Sequence, residues 1–221
     1  MHPRLSAPSP GSTAVVTTGH AGGVTVRLVL ASASPARLRL LREAGFDPEV
    51  VVSGVAEDDV TGPTAEVAQR LAERKAQRVA ERLPHPAVVV GADTVLDVDG
   101  ATRGKPVSVD QARSWWASVA GRSALLHSGL CVIDTANGRQ ASGVATTIVH
   151  YGTPSEQEMD AYLATGEALA VAGGFTIDGY AAPFVERIEG DHGNVVGLSL
   201  PLLRRLLAEI HIEITSLWRM P

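Results

Sequence analysis

The sequence predicts an α/β protein, a mixed, twisted β-sheet with flanking helices. Three observations carry this. Short apolar runs, Leu28–Ala31 and Ala87–Ala92, read as covered strands and alternate with helical segments. The first run turns directly into a helix through Ser32-Ala33-Ser34-Pro35, which makes a βα unit. Residues 124–134 and 139–150 form two extended runs joined at Asn137-Gly138, an antiparallel hairpin signal. Parallel βα units combined with a hairpin require a mixed sheet.

The elements follow in order. Ser34 is a good N-cap, Pro35 suits the first helical position, Leu38, Leu41 and Ala44 form a core-facing stripe, and Gly45 ends the helix. The turn before it is therefore a helix N-terminus, where backbone N–H groups and the dipole favour an anion, although any strand-to-helix connection looks much the same. Residues 48–53 read as a second strand. The loop 54–63 carries Glu57, Asp58 and Asp59, either a solvated loop or oxygen donors for a hard divalent cation.

Residues 64–83 read as a long helix capped by Thr64. Lys75 falls near the middle of its apolar side, where it must snorkel, pair, or meet a ligand's charge. The strand 87–92 runs straight into Asp93-Thr94. Open α/β sheets place ligand sites at the carboxyl ends of central strands, so Asp93 is a candidate functional carboxylate. Asp99-Gly100 signals a hairpin turn, and Pro106 keeps Lys105 extended.

Ser108 and Gln111 suggest a capping box for a helix whose core face is Ala112, Trp115 and Val119, with Trp116 partly exposed. After the long hairpin, Thr153, Pro154 and Glu156 open another helix. Residues 172–180 are too glycine-rich for regular structure and read as a loop that lets a ligand approach backbone. A strand at 184–188, a turn at 190–194 and a closing helix at 201–210 complete the chain.

Composition bounds the function. The 221 residues suit one domain, here 25–214, between a disordered Pro/Ser/Thr/Gly-rich extension at 1–24 and a C-terminal tail at 215–221. With 19 basic and 24 acidic residues the net charge is −5, so the chain presents no general field for nucleic acid. No apolar run approaches membrane-spanning length, and the N-terminus lacks a signal peptide's apolar centre. The expectation is a cytoplasmic protein with neither nucleic-acid nor membrane partners. The single cysteine, Cys131, excludes an intramolecular disulfide and sits in an apolar run as a buried strand residue.

Two motifs mislead. Asp97-Val98-Asp99-Gly100-Ala101-Thr102 resembles the Asp-x-Asp-Gly-Thr loop of haloacid-dehalogenase-type phosphatases, with Asp97 as nucleophile, but Ala101 stands where Thr belongs. The hairpin reading accounts for Asp99-Gly100 without it. Residues 100–106 approach a phosphate-loop pattern, yet the glycine spacing is one short and Pro106 replaces the metal-binding hydroxyl. The seven histidines lack the spacing of a zinc site.

Taken together, the chain resembles the Maf family of nucleoside triphosphate pyrophosphatases. The residues that carry the likeness are 30–37 (Leu-Ala-Ser-Ala-Ser-Pro-Ala-Arg), Glu57, 70–76, Gly91-Ala92-Asp93-Thr94, Gly104-Lys105-Pro106, Ala172-Gly173, Ile177-Asp178-Gly179 and 189–198. Their joint order and spacing span 27–207.

The resemblance implies cleavage between the α- and β-phosphates of a nucleoside triphosphate with a divalent cation, Mg or Mn. It also implies a two-lobed fold like that of the inosine triphosphatases, and a homodimer. By the same resemblance Asp93 is the general base and, with Glu57, a metal ligand. Ser32, Arg37, Lys75 and Lys105 meet the phosphates, and Asp178 meets the base. Ala36 and Asp178 depart from the thymidine/uridine-triphosphate branch, which has arginine and glutamine there. An ionised Asp178 only accepts hydrogen bonds, which suits the N–H edge of a modified purine or a broader range of bases. Maf proteins are also associated with septum formation, so a nucleotide-binding regulator of cell division is the competing expectation.

Overall fold

The computed structural model describes residues 26–219. The expected disordered extension at 1–24 and the last two residues of the tail lie outside them. Seven strands form one mixed sheet: β1 (Leu28–Leu30), β2 (Glu49–Val50), β3 (Val88–Val98), β4 (Ala101–Arg103), β5 (Ser123–Asp134), β6 (Arg139–Tyr151) and β7 (Val185–Glu189). The order is β2-β1-β3-β5-β6-β7, with β4 paired to β3 off that path. β2, β1 and β3 run parallel, while β5, β6 and β7 each run antiparallel to their predecessor. Among the described residues the α-helices are α1 (Pro35–Glu43), α2 (Thr64–Ala80), α3 (Val109–Val119), α4 (Glu156–Ala164), α5 (His192–Val196) and α6 (Leu200–Glu209). None is long and apolar enough to cross a membrane.

β3, β5 and β6 are long enough to carry two cores end to end. Around Val88–Ala92, one face of the sheet packs Leu28, Leu30, Val90, Leu130 and Val132 against Leu41 of α1 and Leu203 and Leu207 of α6. The opposite face packs Val29, Val89 and Cys131 against Ala72, Ala76 and Val79 of α2. Beyond Asp93 a second core gathers Leu96, Val98, Leu126 and Tyr151 with Trp116, Tyr162 and Phe175. This division gives the two lobes, and Asp93 lies at their junction. β1 connects through α1 on one face and β2 through α2 on the other, so the gap between β1 and β3 is the topological switch point.

Several local expectations shift. The second strand shrinks to Glu49–Val50, because Val51 makes the last bond to β1, to Leu30 O at 3.1 Å, before the chain leaves the sheet. Thr64 does not cap α2; Pro63 takes that position and the Thr64 hydroxyl lies 2.8 Å from that of Thr102. α4 is capped by Ser155 in a capping box with Glu158, two residues later than the Thr153 assignment. In α3, Ser108 caps Gln111 N, but the Gln111 side chain accepts from Val107 N. The two tryptophans exchange roles. Trp116 is buried edge-on against Tyr151, Tyr162 and Phe184, and its Nε1 donates to Gly174 O at 2.8 Å. Trp115 turns outward, with the Arg103 guanidinium 5.5 Å from its ring centroid. Residues 190–194, read as a turn, lead into α5, capped by Asp191. In the 215–221 segment, Leu217 is buried and Trp218 bridges to Phe46.

Candidate active site

Strand alternation places the site. Successive side chains of β3 point to opposite faces, so Asp93 leaves on the α2 side and Thr94 on the α1 side. On the α2 side two glycines let the helix lie directly on the strands. A Cβ at Gly91 would stand 2.3 Å from Ala72 O, and one at Gly129 2.2 Å from Ala68 O. That close approach carries Lys75 to Asp93: its Nζ donates to Asp93 Oδ1 at 2.5 Å and lies 2.7 Å from Glu57 Oε1. The lysine on the apolar side of α2 is thus paired, not snorkelled. Glu57 itself is largely exposed, whereas Lys75 and Asp93 are buried.

On the other face Arg37 is buried and committed to three partners. Its Nε donates to Gly197 O at 2.8 Å, Nη1 to Ser32 Oγ at 2.9 Å and Nη2 to Thr94 Oγ1 at 3.0 Å. Thr94 Oγ1 lies 2.8 Å from Ser128 Oγ, and Ser128 donates to Asn194 O at 3.1 Å. Ser32 Oγ also accepts from Ser34 N at 3.2 Å, and Ser34 Oγ caps Arg37 N at 3.4 Å. The turn at the N-terminus of α1 is therefore braced against β3, β5 and α5. The Ser34 side chain satisfies one first-turn N–H, and the dipole end still faces the site.

Electrostatics tie the two faces together. Burial pushes the Asp93 carboxyl above its ordinary pKa, opposed by the charges of Lys75 and Arg37. Burial pulls the Arg37 guanidinium down, opposed by Asp93 and Glu57.

The structure thus brings together Ser32, Arg37, Glu57, Lys75 and Asp93. It does not bring the other two sequence candidates into contact with them. Lys105 is exposed, and its neighbour Gly104 O accepts from Gly173 N at 2.8 Å. Asp178 forms an ion pair with Arg39 of α1. That pair borders a cavity of about 260 Å³ lined also by Leu40, Glu43, His192 and Val196. Asp97, the haloacid-dehalogenase alternative, accepts from Gly100 N at 2.7 Å and serves the hairpin turn.

A family model described as Maf-like protein matches residues 27–210. The chain belongs to this family. A nucleoside triphosphate pyrophosphatase from Streptomyces coelicolor is 57% identical over 194 residues, covering 87% of this chain and 94% of that protein. Another from Salinispora tropica is 54% identical over 203 residues, covering 89% of each. Among solved structures, a HAM1 protein from Coxiella burnetii covers 83% of this chain and 99% of its own at 16% identity and a TM-score of 0.44. The α/β class stated above rests on the sheet and helices themselves.

In this Maf-like chain the donor set suits a hard cation. Among the described residues no group of three or more His, Cys, Asp or Glu forms a metal cage. Glu57 and Asp93 offer two carboxylates, and Mg²⁺-type ions commonly take one or two, completing their shell with water and phosphate oxygens. The residues therefore fit a cation that arrives with a phosphate. Sequence reasoning gave Thr94 no role of its own and missed Ser128 and Arg39. Ser128 carried no signal of its own, a small hydroxyl between His127 and Gly129 in β5.

Proposed function

We propose that this protein is a metal-dependent nucleoside triphosphate pyrophosphatase that hydrolyses the α–β phosphate bond to give a monophosphate and pyrophosphate. The observation that carries this is the Lys75 bridge between Asp93 and Glu57, set beside the Ser32–Arg37 turn at the switch point. A carboxylate and cations brought together around a helix N-terminus suit a polyanionic substrate undergoing hydrolysis.

Asp93 accepts a proton from the attacking water. Its burial raises its pKa and makes it a stronger base than a solvated carboxylate, while the charges of Lys75 and Arg37 oppose that rise. The water oxygen bonds to the α-phosphorus, and the bond to the bridging oxygen breaks as pyrophosphate leaves. Lys75 and the α1 N-terminus offset charge on the phosphates, with Ser32 held in place by Arg37. Exposed Lys105 reaches the same polyanion from the β4–α3 connection. Glu57 and Asp93 would hold a Mg or Mn ion, which supplies charge neutralisation at the phosphate oxygens. Asp178, on the cavity edge, accepts from the base, and a lactam N–H such as that of a modified purine matches it.

The test is Asp93→Asn, assayed with a panel of methylated guanosine, thymidine and uridine triphosphates, with pyrophosphate measured directly. Turnover falls at least about 100-fold while nucleotide binding persists, because the base is lost and the shape kept. Undiminished pyrophosphate release would remove Asp93 from its role. A regulator that only binds nucleotide would show no release in either form.

A further inference from the structure

Among the buried residues of α2, Lys75 alone is charged. Its ammonium is held by Asp93 Oδ1 at 2.5 Å and Glu57 Oε1 at 2.7 Å, carboxylates from two separate segments, the β3 strand and the loop before α2. These are the same two carboxylates assigned above to the cation. An ammonium and a divalent ion cannot both occupy the gap between them, because like charges at such short range repel, most strongly on the buried Asp93 side.

We infer that Lys75 is a placeholder: its ammonium holds the position between Glu57 and Asp93 that the divalent cation takes, and transfers to a substrate phosphate when the cation enters. This rests on the pyrophosphatase reading. Among the described residues, Glu57 and Asp93 are the only carboxylates within salt-bridge distance of Lys75. Its neighbours on the helix face are Leu71, Ala72, Ala76 and Val79, and the Arg37 guanidinium lies beyond Asp93. A triphosphate at the start of α1 supplies another anion. A flexible four-carbon stem with a compact ammonium suits this move, where a planar guanidinium would not. Cation and nucleotide therefore bind with positive coupling, and each raises the affinity for the other.

The inference is tested by Mn²⁺ binding to the full chain at pH 8 without nucleotide, by calorimetry and by the electron paramagnetic resonance of free Mn²⁺. Lys75→Met removes the resident cation and keeps the apolar stem. It should bind Mn²⁺ about tenfold or more tightly than the wild type, within the usual range of coupling energies. Lys75→Arg should stay as weak as the wild type. Should Lys75→Met fail to fold, Lys75→Gln carries the same expectation. Equal or weaker Mn²⁺ binding by the neutral variant overturns the placeholder role. A second substitution separates that failure from failure of the site itself. Adding Glu57→Gln to Lys75→Met should abolish the gain; if the double variant binds as tightly as the single one, the cation does not sit on these carboxylates and the underlying assignment falls.

Discussion

Asp93 and Thr94 are neighbours in one strand, yet they serve opposite faces of the sheet. Asp93 takes the lysine of α2, and Thr94 takes the arginine of α1. The pair explains why one short sequence motif can organise a site built from both layers. A third polar residue on these strands titrates. His127 of β5 is buried, its Nδ1 2.9 Å from Thr146 Oγ1, and burial pulls its pKa below 6.5, opposed by Asp97. The unfolded chain therefore takes up a proton that the folded one resists. The stability this residue contributes is complete above about pH 6.5 and is lost as pH falls below it. Thermal midpoints measured from pH 7.5 to 5 should decline, and His127→Gln should decline less steeply; parallel curves would rule this residue out as the cause. At this scale the charged residues were the legible ones. Asp93 and Lys75 stand out because a charge in an apolar context needs a partner. Thr94 and Ser128 do not, because a hydroxyl in a strand looks the same whether it braces an arginine or caps nothing. Asp178 was legible as an acceptor, but its Arg39 partner was not, since the two lie 139 positions apart.

The decisive element is α2, because its distance from the sheet sets the reach of Lys75. Gly91 and Gly129 make that distance possible, and both adopt ordinary backbone angles, so their smallness matters rather than their flexibility. At Gly129 a methyl group would meet Ala68 O, C and Gln69 N, all backbone atoms that cannot turn away. Gly129→Ala should therefore push α2 outward, cost about 1–3 kcal/mol of stability and reduce pyrophosphate release. Gly143→Ala is the control, since its Cβ would meet only the Leu202 and Leu206 side chains, at 3.4 Å or more. Thermal midpoint and activity measured on both variants decide it; equal behaviour would mean the glycines do not set the spacing. The existence of α2 followed from its periodicity, and the hairpin from Asn137-Gly138. The ends were less legible. Several residues near α2 and α4 are equally good caps by chemistry, and only tertiary contacts such as Thr64 with Thr102 choose among them. The Trp115 and Trp116 exchange has a similar origin. Adjacent helical positions lie about 100° apart, and which one faces inward depends on where the second core sits.

Two cores on one sheet raise the question of whether the lobes are independent. β3 and β5 pair continuously from Val88↔Asp134 to Asp97↔Leu125, through both cores without a break. A lobe cannot open without cutting strands that also build the other, so the molecule should unfold as one cooperative unit. Each core carries its own reporter. Cys131 of β5 lies fully buried in the first, on the face packed against α2, its thiol pushed up to about 12 by burial, so it should resist alkylation in the folded state. Trp116, Tyr151, Tyr162 and Phe184 pack edge-on in the second and should give a near-ultraviolet dichroism signal that vanishes when their packing is lost. In a urea titration, pulse labelling of Cys131 and the aromatic signal should share one midpoint. Labelling that begins at clearly lower urea than the aromatic loss would mean that α2 lifts from the first core on its own. Lys75 would then leave Asp93 without global unfolding, and the rigidity of the site would rest on the helix alone.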